Sequence, residues 1–242
     1  VNNKETWKPS KFILTKQGLK ASRDRHEVGL GSRFIGDIQA TVYERVIRQY
    51  ARGILLDLGC GKVPLFELYR DYVTENICVD WVETPHKSEY FDYEYDLNRE
   101  IPLADNQFDT ILATDVLEHI VDPDCFWHEA ARLVKSGGKV IVGVPFLYWL
   151  HEEPFDFARY SEYRLTLFCE QHGLTVVSLE AYGGSLEVIL DIIAKHLKFS
   201  RILSAVHLIV SKAASRLFSG RKLFNKTARR FPLGYCLVAE KT

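Results

Sequence analysis

The chain has 242 residues, 47% of them hydrophobic and 26% charged, with a formal net charge of −1 at pH 7, which excludes a disordered chain and one that coats nucleic acid through its overall charge. Its five cysteines, Cys60, Cys78, Cys125, Cys169 and Cys236, form no CxxC pair, so neither a disulfide framework nor a zinc site is expected. Residues Val1 to Leu30 lack a signal peptide's apolar core and no run approaches the roughly 18 apolar residues of a spanning helix, so the cytoplasm is the expected compartment.

In chain order, a mixed basic stretch to residue 32 precedes Ile35, Ile38, Val42, Val46 and Ile47, whose helical spacing predicts an amphipathic helix ending near Gly53. GILLDLGCG reads as a buried strand closed by a tight glycine turn, Leu65 to Tyr72 as a helix, and NICVDWV as a second buried strand. Strands are predicted at 108 to 115, 138 to 146, 174 to 182 and 235 to 241, with helices at Asp122 to Val134 and Tyr163 to His172. Alternation of this kind implies a mainly parallel, doubly wound α/β sheet. The aromatic and polar segment 154 to 160 follows a strand's carboxyl end, where an active-site loop is expected.

Asp57-Leu58-Gly59-Cys60-Gly61 follows a buried strand directly, and its glycines let the backbone turn sharply and approach a ligand without Cβ interference. Pro64 stands where a dinucleotide fingerprint needs its third glycine, which argues against a pyrophosphate on the helix N-terminus. Asp80 ends the next strand about 20 residues past the turn, the spacing at which an acid accepts hydrogen bonds from ribose hydroxyls.

With these motifs in order, the sequence resembles the class I S-adenosylmethionine-dependent methyltransferases over about residues 51 to 182. LLDLGCGK is similar to their first motif, VDW to their second, the stretch DLNREIPLADNQFDTILATDVLEHI to the part running through their fourth strand, and LVKSGGKVIVGVP to the final helix-turn-strand step. The resemblance implies a Rossmann-like, seven-stranded, mainly parallel sheet whose last strand, LGYCLVAEK, is antiparallel. It also implies an N-terminal helical cap over residues 1 to 50, a cofactor-binding core over 51 to 182, a basic helical insertion over 183 to 232 and a closing strand over 233 to 242, all in one domain. S-adenosylmethionine is the implied cofactor. Gly59, Cys60 and Gly61 would turn against its amino-acid part with Asp57 beneath, Asp80 and Trp81 would meet the ribose, Asp96 and Leu97 would flank the adenine, and Thr114 and Asp115 would approach the methionine end. Arg23, Arg25 and Arg33 in the cap are expected to meet an anionic acceptor or the cofactor carboxylate.

A sulfonium methyl is already activated, so the protein must align the acceptor, exclude water and, for a hydroxyl, remove a proton. Candidate bases are His119, His151 and Asp156, the histidines preferred because neutral imidazole accepts protons near pH 7. Glu152 is a further candidate in the same loop. Asp115-x-x-Glu118-His119 also resembles the arrangement of a metal-dependent subset of the family, in which a later histidine, here His151, completes a divalent-ion site. On a helix the three residues would share a face. Most members with similar Glu-His pairs use no metal, so none is expected.

From Ile192 to Ala239 there is no acid, while Lys195, Lys198, Arg201, Lys212, Arg216, Arg221, Lys222, Lys226, Arg229 and Arg230 are basic. Ile202, Val206, Ile209, Ala213 and Leu217 share one helix face, with Ser204, His207, Ser211, Lys212, Ser215 and Arg216 largely opposite. This insertion fits a lid, a dimer surface, a peripheral contact with anionic membrane, or a binder of a phosphorylated acceptor or RNA phosphate; a helix pair packed on the domain with solvated charges is the plainer alternative. The leading functional reading is methylation of a hydroxyl on a small-molecule or glycan acceptor. Its alternatives are a metal-assisted RNA 2′-hydroxyl methyltransferase, disfavoured by the lack of a recognisable RNA-binding module, and a non-catalytic cofactor-binding scaffold.

Overall fold

The structure, a computed structural model, describes residues 1–81, 88–218 and 227–242, of which 216 and 218 are described by backbone alone. Arg221, Lys222 and Lys226 of the basic segment lie outside the described residues. A hairpin of β1 (Phe12–Thr15) and β2 (Gly18–Ala21) opens the chain and leads to α1 (Arg33–Tyr50). Then follow β3 (Gly53–Leu58), α2 (Phe66–Tyr69), β4 (Val73–Asp80), β5 (Tyr93–Glu94), β6 (Phe108–Thr114), α3 (Pro123–Leu133), β7 (Val134–Pro145), α4 (Glu162–Gln171), β8 (Leu174–Tyr182), α5 (Ser185–His196), α6 (Arg201–Phe218) and β9 (Gly234–Lys241).

Seven strands, β3 to β9, form one sheet among the described residues, in the order β5-β4-β3-β6-β7-β9-β8. Pairing is parallel from β5 to β7, and β9 runs antiparallel between β7 and β8. Alternate side chains sort the core into two layers: Leu56, Leu58, Ile111, Val140 and Val142 meet α3 and α4, whereas Leu55, Leu112, Ile141 and Val238 meet α1. The doubly wound fold expected from the motifs is the one observed, with the closing strand antiparallel as expected.

Local chemistry accounts for the boundaries. Asp122 caps α3, its carboxylate accepting from the Cys125 amide at 3.1 Å with Pro123 in the first turn, and Ser161 caps α4 through the Arg164 amide. Two expectations need correction. The cap over residues 1 to 50 is not helical throughout: Phe12 and Leu19 turn inward from a hairpin whose Gly18 has φ 98°, and the Thr15 hydroxyl donates to the Gly18 carbonyl. The predicted helix at Leu65 to Tyr72 shrinks to the four residues of α2, because Val73 is already drawn into β4.

Trp127 on α3 is fully buried, edge-on to Phe126 and stacked on Phe168 of α4 at 5.8 Å, so it ties both helices to the sheet. Trp127→Ala is expected to cost about 3–5 kcal/mol of stability by cavity formation, readable as a lower urea midpoint with little change in slope.

Candidate active site

The sheet order places β3 beside β6, where the chain's winding reverses, and ligands in open α/β sheets bind in the crevice outside the strand ends at that point. The turn after β3 is pinned by Gly59 and Cys60 amides donating to the Val79 carbonyl at 2.8 and 3.2 Å. Gly59 has φ 68° and its missing Cβ would lie 2.6 Å from Val116 Cγ2, so both conformation and space demand glycine. Asp80 at the end of β4 accepts from the Gly61 amide at 2.7 Å and the Trp81 amide at 2.9 Å, which aligns its carboxylate with the turn.

A cleft opens here, lined among others by Gly59, Asp80, Trp81, Asp96, Leu97 and Asp115. Its far wall is Val116, His119, Ile120, Glu152 and Phe155, and Trp81 meets the Phe155 ring edge-on at 5.3 Å. Asp96 is held by the Asn98 amide at 3.0 Å, while the Asn98 side-chain carbonyl accepts from Val121 and Asp122, binding this wall to the start of α3.

Of the residues expected at the cofactor, Gly59, Asp80, Trp81, Asp96, Leu97 and Asp115 thus share one cleft. Gly61 stands just behind, orienting Asp80. Cys60 and Thr114 do not line the cleft; Cys60 is buried, with its thiol directed to the Gly61 carbonyl. Asp57 lies beneath, its carboxylate accepting from the Tyr69 hydroxyl at 3.1 Å. Burial, only partly offset by that hydrogen bond, pushes Asp57 up to about 7. Tyr95, Asn98, Ile120 and Phe155 were missed because nothing in their local pattern marks them; they reach the cleft through loops.

A second cleft lies under the N-terminal cap and shares Asp115 and Glu152 with the first. Asp115 follows β6 in the left-handed region at φ 56°, and its carboxylate accepts from Gln39 at 2.7 Å, Tyr43 at 3.2 Å and Lys11 at 2.6 Å. Lys11 is therefore the cap's cation at the site. Arg23 and Arg33, expected in that role, are committed elsewhere: Arg23 pairs with Asp37 at 3.1 Å and Arg33 donates to the Val28 and Arg23 carbonyls.

The expected convergence of Asp115, Glu118 and His119 on one helix face does not occur. Only a single 3₁₀ turn, Leu117–His119, forms, and Asp115 points away toward the cap. The third partner is instead His151: ligand-capable atoms of Glu118, His119 and His151 lie within 4.8 Å of one another. Glu118 is fully buried with neither carboxylate oxygen hydrogen-bonded, and the Nε2 atoms of His119 and His151 stand 3.8 and 3.6 Å from its Oε1. Burial raises the Glu118 pKa, opposed by His151. Burial works against a charged His151, yet the Glu118 carboxylate raises its pKa.

His119 Nδ1 lies 2.8 Å from the Phe155 carbonyl, an acceptor only, so the neutral ring carries its proton there and leaves the Nε2 lone pair free. That nitrogen is buried without a hydrogen-bond partner. Asp156, expected among the bases, is instead an anchor: it is paired with Arg159 and accepts from the His151 amide at 3.0 Å. Although burial opposes it, Arg159 holds Asp156 at about 2, too low to take a proton near neutrality.

Strand order, glycine turn and strand-end acid define a Rossmann-like domain that binds a nucleotide cofactor. The methyltransferase domain family matches residues 56–142, and over that stretch the chain is similar to S-adenosylmethionine-dependent methyltransferases. It is 26% identical over 164 residues to the Ubiquinone biosynthesis O-methyltransferase of Cereibacter sphaeroides, covering 64% of this chain and 62% of that one. With the Ubiquinone biosynthesis O-methyltransferase of Methylobacterium nodulans it shares 30% over 149 residues, 51% of this chain and 60% of the relative. The chain thus spans less than two thirds of these relatives' length. A SAM-dependent methyltransferase from Archaeoglobus fulgidus has the same fold, with a TM-score of 0.55 at 19% identity over 87% of this chain and 97% of that one.

The residues present fit the family's cofactor, S-adenosylmethionine: the turn leaves no room for a Cβ at Gly59, and a buried carboxylate at Asp80 stands where ribose hydroxyls need acceptors. Gly59→Ala is expected to weaken S-adenosylhomocysteine binding at least about tenfold, since clash and left-handed strain act together; isothermal titration of a variant with unchanged circular dichroism reads it. A second expectation concerns Asp57. A carboxyl raised in the fold stabilises fully below its unfolded value and loses that contribution as pH rises through its folded value. The parent's stability should therefore fall between about pH 4 and about 7, and Asp57→Asn should flatten that slope in urea titrations across the range.

Proposed function

We propose that the protein transfers the methyl group of S-adenosylmethionine to a hydroxyl of a small-molecule acceptor held in the cleft beneath the N-terminal cap. The observation that carries this reading is the meeting of two clefts at Asp115 and Glu152, with His119 Nε2 buried beside the junction, without a hydrogen-bond partner and 3.8 Å from Glu152. One cleft has the features of a cofactor site. The other offers Lys11, Gln39, Tyr148, Tyr182 and His151 as polar groups for an acceptor.

When bound, S-adenosylmethionine supplies an activated methyl. The chain's own task is to bring a hydroxyl in line with it, exclude water and receive the proton. His119 takes that proton at Nε2, which lies 3.8 Å from the buried Glu118 carboxylate. His151, raised by the same carboxylate and fixed by Asp156, orients the acceptor side. The names of the relatives, O-methyltransferases, support oxygen as the receiving atom.

A second reading has a specific observation behind it. The two unpaired Glu118 oxygens and the adjoining histidine nitrogens are a mixed oxygen and nitrogen donor set suited to a divalent transition-metal ion. There Glu118, His119 and His151 would hold the ion, which would lower the acceptor hydroxyl's pKa in place of a protein base.

Titration of S-adenosylhomocysteine into the parent and Asp80→Ala tests the cofactor. Micromolar binding weakened at least about tenfold by loss of the buried acceptor is expected, and no binding by a folded parent would sink the reading. With an acceptor in hand, His119→Ala should lower kcat by about 10²–10⁴-fold, a loss far larger than any accompanying change in S-adenosylhomocysteine affinity. Activity abolished by EDTA and restored by a divalent cation would put the metal reading first.

A further inference from the structure

The insertion between β8 and β9 packs inside out. On α6 the polar stripe faces the domain: Ser211 is fully buried, Ser204 donates to the Leu197 carbonyl at 3.0 Å, His207 Nε2 lies 2.8 Å from the Leu190 carbonyl and Lys212 pairs with Asp37 at 2.7 Å. The apolar stripe faces out, with Ile202 77%, Ile209 70% and Leu217 71% exposed and Val206 exposed beside them. The adjoining turn adds Phe199, 79% exposed, and α5 adds Ile189 and Ile192. A helix packed on its domain with solvated charges would show the reverse arrangement, so this surface lacks its partner.

Charge identifies the partner's chemistry. Lys198 and Arg201 are exposed at the end of this surface, beside Phe199. The sequence carries no acid from Ile192 to Ala239, and the carboxylates of α5 turn inward, Asp191 to Lys195 at 3.2 Å and Glu187 to Ser215 at 3.3 Å. A twofold dimer through this patch would set it against itself, leaving the cations without carboxylates to meet. An anionic bilayer instead offers hydrocarbon to the apolar stripe and lipid phosphate to the cations. The surface also runs toward the second cleft: the Lys198 ammonium lies 4.8 Å from the ring centre of the half-exposed Trp149, whose neighbours Tyr148 and Leu150 line that cleft and face solvent respectively. Tryptophan beside lysine suits the headgroup level of a membrane.

We propose that the exposed apolar face of α5 and α6, with Lys198, Arg201 and Trp149, docks the protein peripherally on an anionic lipid bilayer. Docking holds α6 in the plane of the interface; among the described residues no helix is long and apolar enough to cross a membrane. The proposal does not depend on methyl transfer.

Co-sedimentation with vesicles tests it, using phosphatidylcholine alone and an equal mixture with phosphatidylglycerol. The parent should pellet with the mixed vesicles and remain largely in solution with phosphatidylcholine. Ile202→Asp with Ile209→Asp, and separately Lys198→Glu with Arg201→Glu, should each weaken binding at least about tenfold, with circular dichroism and S-adenosylhomocysteine affinity unchanged. Equal pelleting on both vesicle types, a soluble parent with both, or folded variants that bind like the parent would overturn the proposal. So would light scattering that shows a dimer split by Ile202→Asp, with no vesicle binding, because the face would then be a self-interface.

Discussion

The close approach of the turn after β3 to the end of β6 is the constraint on which the site depends. The space that would hold a Cβ at Gly59 is filled by the Val116 methyl groups at 2.6 and 2.8 Å. With no side chain intervening, the backbone of the turn at Gly59 lines the crevice at the switch point of the sheet. Asp80 is brought to the same place because β3 and β4 run in parallel register up to the Leu58–Val79 pair. A larger residue at Gly59 would push the two strand ends apart and disperse the groups that line the cleft.

Asp115 carries the second constraint. Its left-handed backbone turns the chain out of β6, and its carboxylate collects donors from the hairpin and α1. The cap is thereby fastened to the core by charge-assisted hydrogen bonds at the junction of the two clefts. A buried acid elsewhere would cost stability without such partners. Glu118, three residues on, lacks them and lies between two histidines; an unsatisfied buried carboxylate of this kind is a feature of sites that handle protons or cations.

The insertion resolves its polarity in an uncommon way. Serines and a histidine from α6 are satisfied by carbonyls and a carboxylate of α5 and the turn after it, and a lysine by Asp37 of α1, which leaves isoleucine, valine and leucine in water. Such an arrangement is stable because inward polar groups find partners, and it leaves an apolar surface of the type that marks an interaction site.

The sequence by itself determined the strand and helix alternation, the glycine turn with Asp80, and the amphipathic stripe of α6. These are signals of local periodicity, conformation and spacing, which neighbouring residues carry among themselves. Tertiary structure decided which way that stripe faces, because amphipathicity defines two faces without saying which one the domain can satisfy. It also decided that Asp115 leaves the Glu118–His119 pair while His151, distant in sequence, joins it, and that Asp156 is spent on Arg159. Those outcomes rest on contacts between loops, and on the balance of burial against charged partners: burial pushes Asp57 up to about 7, whereas Arg159 overcomes burial and holds Asp156 at about 2. No local pattern encodes them, because desolvation and Coulomb interaction depend on distances that exist only once the chain has folded.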